Sequence, residues 1–277
     1  MKTAYTGWTW MLLGPNATPE QGVRAFEQAT KEIAYLGYDC AENFAFIADF
    51  FPDPQVCKDI CDKYKLPLVN VYGHFRGDNL EEDYERSIKQ IDFLAAIGGK
   101  WFNCQHAGFR EGAKERPLDK EGVGAMAELS NRIGKYAKEK GVTLCFHPHY
   151  GTLVFDREQI DYFAEKTDPA YVSFCFDTAH STLAGIDIVE LAETYGERIG
   201  YVHLKDVDPA HEVEETRGKM GAFRALGLGT VNFKGFVNAL KKKGYDGVLC
   251  VELDNPEICN YNSAEISRAY IKNVLKL

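Results

Sequence analysis

Long apolar runs are missing from this chain of 277 residues. No stretch approaches the roughly 18 apolar residues that a membrane-spanning helix needs. The first residues, MKTAY, do not open an apolar core of the kind found in signal peptides. The sequence therefore argues against membrane insertion and export, and we expect the protein to be cytoplasmic.

Positively charged residues are also fewer than negatively charged ones. The chain has 32 Lys and Arg residues and 41 Asp and Glu residues, which gives a net charge of -9. Nucleic-acid-binding proteins gather Lys and Arg on one face. The strongest basic cluster here is Lys241-Lys242-Lys243, at the end of an amphipathic segment where basic residues favourably meet the helix dipole. The composition therefore predicts no nucleic-acid partner.

The eight cysteines lack the spacing of a zinc ribbon. Cys57 and Cys61 are the one close pair, and they lie in a segment that reads as a helix. This pattern predicts free thiols in a reducing compartment.

Short apolar segments alternate with longer amphipathic ones along the chain, which is typical of βαβ units and a parallel sheet. Helix boundaries are well marked, with Thr18 and Pro19 at one start and Gly141 and Gly244 after two helix ends. The predicted strands lie near residues 3–8, 38–43, 67–72, 100–105, 142–147, 172–177, 199–204 and 247–252. The sequence thus predicts the α/β class, with residues 1–277 forming a single (β/α)8 TIM barrel domain of parallel strands.

Polar side chains collect at the predicted carboxyl ends of these strands, which is the face where such barrels carry out their chemistry. Three of these groups are carboxylates, and six of the seven histidines lie at or just beyond a strand end. The set comprises Glu42, His74, His106, His147, His149, Asp177, His180, His203 and Glu252. We therefore predict the active site at this face.

A cysteine lies two residues before five of these strand-end groups, and side chains two apart point the same way along a strand. We expect the five to face the barrel interior as small hydrophobes. They are Cys40, Cys104, Cys145, Cys175 and Cys250. A thiolate-metal cluster is the alternative, but it would bury charge deep in the barrel.

Asp177, His203 and Glu252 end three consecutive strands and offer nitrogen and carboxylate ligands for a divalent metal. His147 ends the preceding strand and is the candidate fourth ligand, with His149 or His180 orienting the others. We predict a divalent metal at this position, Mn²⁺ or Co²⁺ first, with Zn²⁺ and Mg²⁺ as alternatives.

Further side chains near this face are candidates for holding a substrate. Trp8, Trp10 and Phe46 could stack on the apolar face of a sugar ring, and Arg76 could carry a phosphate. A long segment between about residues 207 and 230 reads as a functional loop. The predicted substrate-binding residues are Trp10, Glu42, His74, Arg76, His106, Lys205 and Arg217.

Several motifs resemble those of the xylose-isomerase-like barrel superfamily of sugar phosphate isomerases and epimerases, and most closely its inosose dehydratase branch. They are HPHYGT at 147–152, FDTAH at 176–180, VHLKD at 202–206 and VE at 251–252. The resemblance covers nearly the whole chain and is densest between residues 141 and 206. In that superfamily, Glu, Asp, His and Glu from the last four strands hold the metal, roles that would fall here to His147, Asp177, His203 and Glu252.

The departure from this pattern is His147, which stands where the isomerases and epimerases have Glu. Epimerisation by that family uses two opposed carboxylates, so the substitution favours dehydration. The resemblance then implies that Glu252 or another carboxylate removes a proton next to a carbonyl, and that His149 or His180 donates to the leaving oxygen.

The resemblance implies a divalent-metal-dependent lyase that removes water, or another β-leaving group, from a keto-inositol or keto-sugar through an enolate. The partners it implies are a small polyhydroxylated carbonyl substrate and a second copy of the chain in a homodimer. The alternative is a ketose isomerase or epimerase. A sugar-binding protein without turnover is a third interpretation, which Asp177, His203 and Glu252 disfavour.

Overall fold

The computed structural model describes residues 1–14, 16–106, 118–210, 222–256 and 258–277. Its strands are β1 (Lys2–Thr6), β2 (Cys40–Phe44), β3 (Leu68–Phe75), β4 (Trp101–His106), β5 (Thr143–Phe146), β6 (Val172–Asp177), β7 (Ile199–Leu204), β8 (Asp206–Val207), β9 (Phe223–Arg224) and β10 (Val248–Val251). Eight of them pair in parallel and close a barrel in the order β1-β10-β7-β6-β5-β4-β3-β2. The short β8 and β9 form a separate antiparallel pair.

Helices alternate with the barrel strands and cover the outside of the barrel. They are α1 (Pro19–Tyr35), α2 (Pro54–Tyr64), α3 (Leu80–Ala96), α4 (Lys120–Glu139), α5 (Arg157–Lys166), α6 (Thr178–Leu183), α7 (Ile188–Tyr195), α8 (Phe233–Lys242) and α9 (Asn260–Tyr270). Short 3-10 turns lie at Trp8–Met11, Ala45–Phe50 and Gly196–Arg198, and a π-helical turn, Ile271–Leu275, follows α9. Among the described residues, none of these helices combines the length and the apolar character needed to cross a bilayer.

The barrel predicted from the sequence is confirmed, with each strand within a few residues of its expected place. The start of α1 is also as expected: the Thr18 hydroxyl accepts from the backbone of Gln21, whose side chain accepts in return from the Thr18 backbone, and Pro19 opens the helix. Gly141 and Gly244 adopt φ of +73° and +74°, the left-handed conformation that ends a helix before a strand.

Neighbouring parallel strands place paired residues on the same side of the sheet, so the register shows which residues face the barrel axis. Cys145 pairs with Asn103, and Asn103 pairs with Tyr72. Four of the five cysteines predicted to face inward do so, in one buried inner cluster with Ala4, Tyr201 and Val248. These four are Cys40, Cys145, Cys175 and Cys250.

The prediction was wrong for the fifth cysteine, because β4 has the opposite phase. Cys104 pairs with Phe146 and packs in the core between the strands and the helices. His106 shares that outer side, and a Cβ added to Gly77 would lie 2.6 Å from its ring. The inward residues of β4 are Asn103 and Gln105, which the sequence analysis did not consider.

Two glycines in α4 test how tightly the helices pack on the barrel. A Cβ on Gly134 would lie 2.3 Å from the backbone oxygen of Tyr171, whereas a Cβ on Gly124 would meet nothing within 4 Å. We expect Gly134→Ala to lower the free energy of unfolding by about 1–3 kcal/mol through overpacking. The matched change Gly124→Ala should raise it by about 0.5–1 kcal/mol, because alanine favours the helix. Urea unfolding followed by circular dichroism measures both, and shifts of the same sign would contradict this packing.

Candidate active site

Four side chains converge at the carboxyl ends of four adjacent barrel strands. His147 follows β5, Asp177 ends β6, His203 lies near the end of β7, and Glu252 follows β10. One nitrogen or oxygen atom from each lies within 4.8 Å of the others, and all four residues are buried. We call these residues the four-residue cluster. The sequence analysis selected the same four as metal ligands.

Distances inside the four-residue cluster describe an arrangement of facing lone pairs. His203 Nδ1 lies 2.8 Å from Glu252 Oε2 and 4.0 Å from Asp177 Oδ2, and His147 Nε2 lies 3.9 Å from the same Asp177 oxygen. Within the described residues, none of these four atoms has a hydrogen-bond partner with acceptable geometry. A buried polar atom without a partner costs about 1–3 kcal/mol. The donor set therefore fits a divalent cation, which would satisfy all of these atoms together.

The charge around this cluster also fits a dication. The Lys205 ammonium is buried and lies 3.7 Å from Asp177 Oδ2, 3.3 Å from Glu252 Oε2 and 3.0 Å from Asp254 Oδ2. Three carboxylates against one ammonium leave a formal charge of -2 (-3 + 1). Buried charge of this size is costly unless it is compensated.

Three of the four cluster residues have the protonation states that bind a metal. The fourth is His203, where Cys175, Glu42 and Glu252 outweigh burial and raise the pKa well above its usual range, so a metal would displace a proton from it. Burial opposes ionisation of Asp177 and Glu252, but Lys205 and the neighbouring histidines outweigh it and lower the pKa of both carboxyl groups. Burial lowers the pKa of His147, which keeps that ring neutral. Two carboxylates and a neutral imidazole are therefore available near neutral pH.

Two other groups of buried ligand atoms in the described part of the chain include a thiol, one with Cys175 and one with Cys250. Burial raises the pKa of Cys175 to about 11 and that of Cys250 well above its usual range. Both thiols therefore stay protonated, and a thiol binds metal as the thiolate. The arrangement supports the oxygen and nitrogen cluster over a thiolate one.

Asp177 has a second role that explains the spacing between it and His180. Its Oδ1 accepts hydrogen bonds from the backbone N–H groups of Ala179 and His180, at 2.8 and 2.9 Å, and so caps α6. The other oxygen is left for the four-residue cluster. Because the helix begins at the strand end, His180 is brought over the same site.

His149 and His180 lie against each other at the edge of the cluster, with ring centroids 3.7 Å apart and ring planes tilted by 39°. His149 Nδ1 lies 3.0 Å from the carbonyl oxygen of Tyr150, which only accepts, so this nitrogen carries the proton. Burial lowers the pKa of His149 to about 3 and that of His180 well below its usual range. Both rings are neutral, and the N–H of His149 is engaged by Tyr150, so the N–H available to a substrate is that of His180.

A cavity of about 380 Å³ opens beside the cluster. This volume lies in the range of small-molecule sites. Among the described residues of the lining, the carboxylates come from one strand end only, and Trp8 and Phe44 form a stacked pair whose ring centroids are 4.8 Å apart. The lining residues are Trp8, Leu12, Phe44, Tyr72, His74, Gln105, His149, Glu252, Asp254 and Asn255.

The tryptophan chosen from the sequence lies away from this cavity. Trp10 Nε1 donates to Glu32 at 2.6 Å, and its ring packs edge-on against Tyr5 on the outer side of β1. It does not line the cavity. Trp8, two residues earlier, lies on the cavity wall instead.

Other predicted substrate-binding residues are divided between the cavity and its surroundings. His74 lines the cavity, and Lys205 borders the four-residue cluster. Arg76 lines a second cavity of about 380 Å³, next to the first, and its side chain is exposed. Arg217 lies outside the described residues.

Two of the predicted substrate contacts, Glu42 and His106, lie away from the cavity. Glu42 faces the axis but lies under the four-residue cluster, where it is fully buried and lines neither cavity. His106 faces outward from β4, toward Gly77. Neither side chain reaches the cavity.

Several lining residues were missed from the sequence, and for two of them a signal existed. Asp254 comes two residues after Glu252, which places it on the same side of the chain by alternation. Gln105 lies two residues after Asn103 and faces inward with it, and the Tyr72 hydroxyl donates to its side-chain oxygen. Phe44 and Asn255 had no such marker.

Comparison with known proteins agrees with this geometry. A family model described as the xylose isomerase-like TIM barrel matches residues 30–274. The chain is 31% identical to the inosose dehydratase of Clostridium perfringens, over 91% of either chain. It is 31% identical to that of Geobacillus thermodenitrificans, over 98% of this chain and 95% of the other.

Among solved structures, the IOLI protein with a bound zinc atom superposes with a TM-score of 0.75 at 16% identity, over 100% of this chain and 98% of the other. That identity shows the shared fold alone. Combined with the family model and the relatives at 31% identity, the match leads to one conclusion: the chain is an enzyme that belongs to the xylose isomerase-like TIM barrel family.

Proposed function

We propose that this enzyme is a divalent-metal-dependent lyase that removes water, or another β-leaving group, from a keto-inositol or keto-sugar. The observation that carries the proposal is the four-residue cluster, whose buried ligand atoms face one another without hydrogen-bond partners. The reaction class is supported by the relatives named inosose dehydratase.

The four-residue cluster would hold the metal, and Mn²⁺ or Co²⁺ suits its oxygen and nitrogen ligands, with Zn²⁺ and Mg²⁺ as alternatives. When bound, a divalent cation polarises a carbonyl group and stabilises the negative charge of an enolate. Asp177 keeps its ligand oxygen oriented because its other oxygen caps α6. A homodimer, a cytoplasmic location and the absence of nucleic-acid or membrane partners stay predictions from the sequence.

Proton removal falls to the carboxylates beside the cluster. Glu252 and Asp254 both line the cavity, and Lys205 lies within 3.3 Å of each. Either carboxylate can take the proton from the carbon next to the substrate carbonyl. The buried ammonium of Lys205 orients them and offers positive charge where negative charge develops.

The pair formed by His149 and His180 would assist departure of the leaving group. His149 lines the cavity, and His180 packs on its ring. Because both nitrogens of His180 lack a hydrogen-bond partner within the described chain, this ring can reach toward a substrate oxygen. The N–H of His180 then donates to the departing β-hydroxyl, while the N–H of His149 stays bonded to the Tyr150 carbonyl oxygen.

The remaining walls suit a polyhydroxylated ring. Trp8 and Phe44 present aromatic surface for its apolar face. The Trp8 indole N–H has no acceptor among the described residues and can donate to a substrate hydroxyl. Gln105, Asn255 and His74 supply further polar groups on the lining.

The distribution of carboxylates favours elimination over epimerisation. Of the described residues that line the cavity, only Glu252 and Asp254 are acidic, and both lie at the end of β10. Moving a proton between the two faces of one carbon requires groups on opposite sides. Because residue 147 is a histidine, no described lining residue places a carboxylate on the side of the cavity opposite Glu252 and Asp254.

The metal ligands are tested by charge-removing substitutions. We expect Asp177→Asn and Glu252→Gln to weaken Mn²⁺ binding by more than about 100-fold, since loss of an outer partner alone costs about 10–100-fold. Lyase activity should fall with it. Titration calorimetry on chelator-treated protein and elemental analysis measure the binding.

Asp187→Asn is the matched control for Asp177→Asn. Asp187 caps α7 through two backbone N–H groups, as Asp177 caps α6, but it is exposed and outside the site. Asparagine caps helices about as well as aspartate, so both variants should fold. Unchanged metal binding in Asp177→Asn would remove the basis of the proposal.

Incubation of the Mn²⁺-loaded enzyme with scyllo-inosose and a set of ketoses in D₂O tests the reaction. We expect the inosose to lose water and form an unsaturated diketone. Ultraviolet absorbance and mass spectrometry measure this product. Deuterium in a new ketose isomer without elimination would instead assign the enzyme to the epimerases. Binding without turnover of any substrate would contradict both.

A further inference from the structure

Beneath the four-residue cluster lies a carboxylate that the proposed chemistry does not use. Glu42, on the inward side of β2, is 0% exposed. Its Oε2 atom accepts from Asn70 Nδ2 at 2.8 Å and Asn103 Nδ2 at 3.1 Å, and it lies 3.0 Å from His203 Nε2. The substrate cavity does not reach it.

The orientation of the Asn70 amide is fixed by the backbone, while the Nδ2 group of Asn103 lies 3.1 Å from Glu42 Oε2 and 3.3 Å from His203 Nε2. Asn70 Oδ1 accepts from the backbone N–H of Asn103 at 3.2 Å, so the Nδ2 group of Asn70 must point toward Glu42. One oxygen thus receives two amide donors and faces a third nitrogen. An oxygen with these neighbours acts as an acceptor, so the facing nitrogen of His203 must carry a proton.

The proton on Nε2 decides what the other side of the His203 ring can do. A neutral imidazole with Nε2–H has its lone pair on Nδ1. Nδ1 is the atom that lies 2.8 Å from Glu252 Oε2 and 4.0 Å from Asp177 Oδ2, inside the four-residue cluster. The opposite tautomer would set a lone pair against Glu42 and a hydrogen toward the metal position.

We propose that Glu42 is a positioning residue: by accepting from His203 Nε2–H, with Asn70 and Asn103 holding its carboxylate, it fixes the tautomer and ring orientation in which His203 binds the metal. The inference rests on the proposed metal dependence of the enzyme. Histidines that bind metals commonly donate their other N–H to a carboxylate, which makes them better ligands.

A purely structural role fits this carboxylate poorly. Glu42 is fully buried, and a buried charge is costly unless it is compensated. A buried ion pair often contributes nothing to stability compared with an uncharged pair of the same shape. Glutamine at this position would keep the shape and an acceptor oxygen, so folding alone does not require the charge.

The test is Glu42→Gln, with affinity for Mn²⁺ measured by calorimetry on the full chain after chelator treatment. We expect the dissociation constant to rise about 10–100-fold. Urea unfolding of the metal-free variant should have its midpoint unchanged or shifted upward. A lower midpoint with unchanged affinity would assign Glu42 a structural role and overturn the proposal.

Asp83→Asn is the matched control. Asp83 is 1% exposed and paired with Arg86, so it is another buried carboxylate that loses its charge without touching the four-residue cluster. Its affinity for Mn²⁺ should equal that of the unaltered enzyme. An equal loss in both variants would overturn the specific role of Glu42.

Nitrogen-15 NMR of the histidine rings gives an answer even if Glu42→Gln does not fold. In the unaltered Zn²⁺-loaded enzyme, we expect His203 Nε2 to carry the proton and His203 Nδ1 to have the nitrogen chemical shift of a metal ligand. The His203 signals are assigned by their loss in His203→Gln. A proton on Nδ1 would overturn the proposal. Absence of any metal binding by the unaltered enzyme would reject the proposed function itself, whereas equal affinity in Glu42→Gln rejects only this inference.

Discussion

Each group of the site depends on one geometric constraint: a barrel strand can turn only every second side chain toward the axis. The carboxyl-terminal inward positions of the adjacent strands β5, β6, β7 and β10 are the members of the four-residue cluster. A slip of one residue on β6 would replace Asp177 with Phe176 and turn apolar core into the site. The pairing that builds the hydrophobic core therefore also places the ligands, and site and fold cannot be specified separately.

The same constraint separates what the sequence reveals from what it conceals. Eight strands, their order and the ligands at their ends follow from alternation, capping and the position of polar residues. Depth along the axis does not, because the strands of a barrel are staggered by its shear. Glu42 was placed on the correct side of β2, but its position under His203 depends on this stagger. Glu42, which the sequence predicts as a substrate contact, therefore lies beside His203.

Phase is the other quantity that a single sequence leaves open. A barrel strand is buried on both faces, so hydrophobicity alone does not show which residues face inward. On β4, Phe102, Asn103 and Cys104 are all 0% exposed. The prediction that a cysteine two residues before a strand-end polar group faces inward is correct on four strands. It is wrong on β4, where Asn103 and Gln105 face inward. Trp10 lies away from the cavity for a different reason. It is in a 3-10 turn after β1, where period-two alternation does not apply.

His147 fixes the charge balance of the mouth of the barrel. With a neutral ring there, the four-residue cluster has two carboxylates, which a dication balances, while Asp254 and Lys205 neutralise each other at 3.0 Å. A carboxylate at position 147, which is 1% exposed, would add a buried charge that repels the negative charge formed when a carbon next to a carbonyl loses its proton. With the neutral ring, the ammonium of Lys205 and the N–H of His180 would meet that charge instead. His147, which departs from the epimerase pattern, thus limits the four-residue cluster to the two carboxylates that one dication would balance.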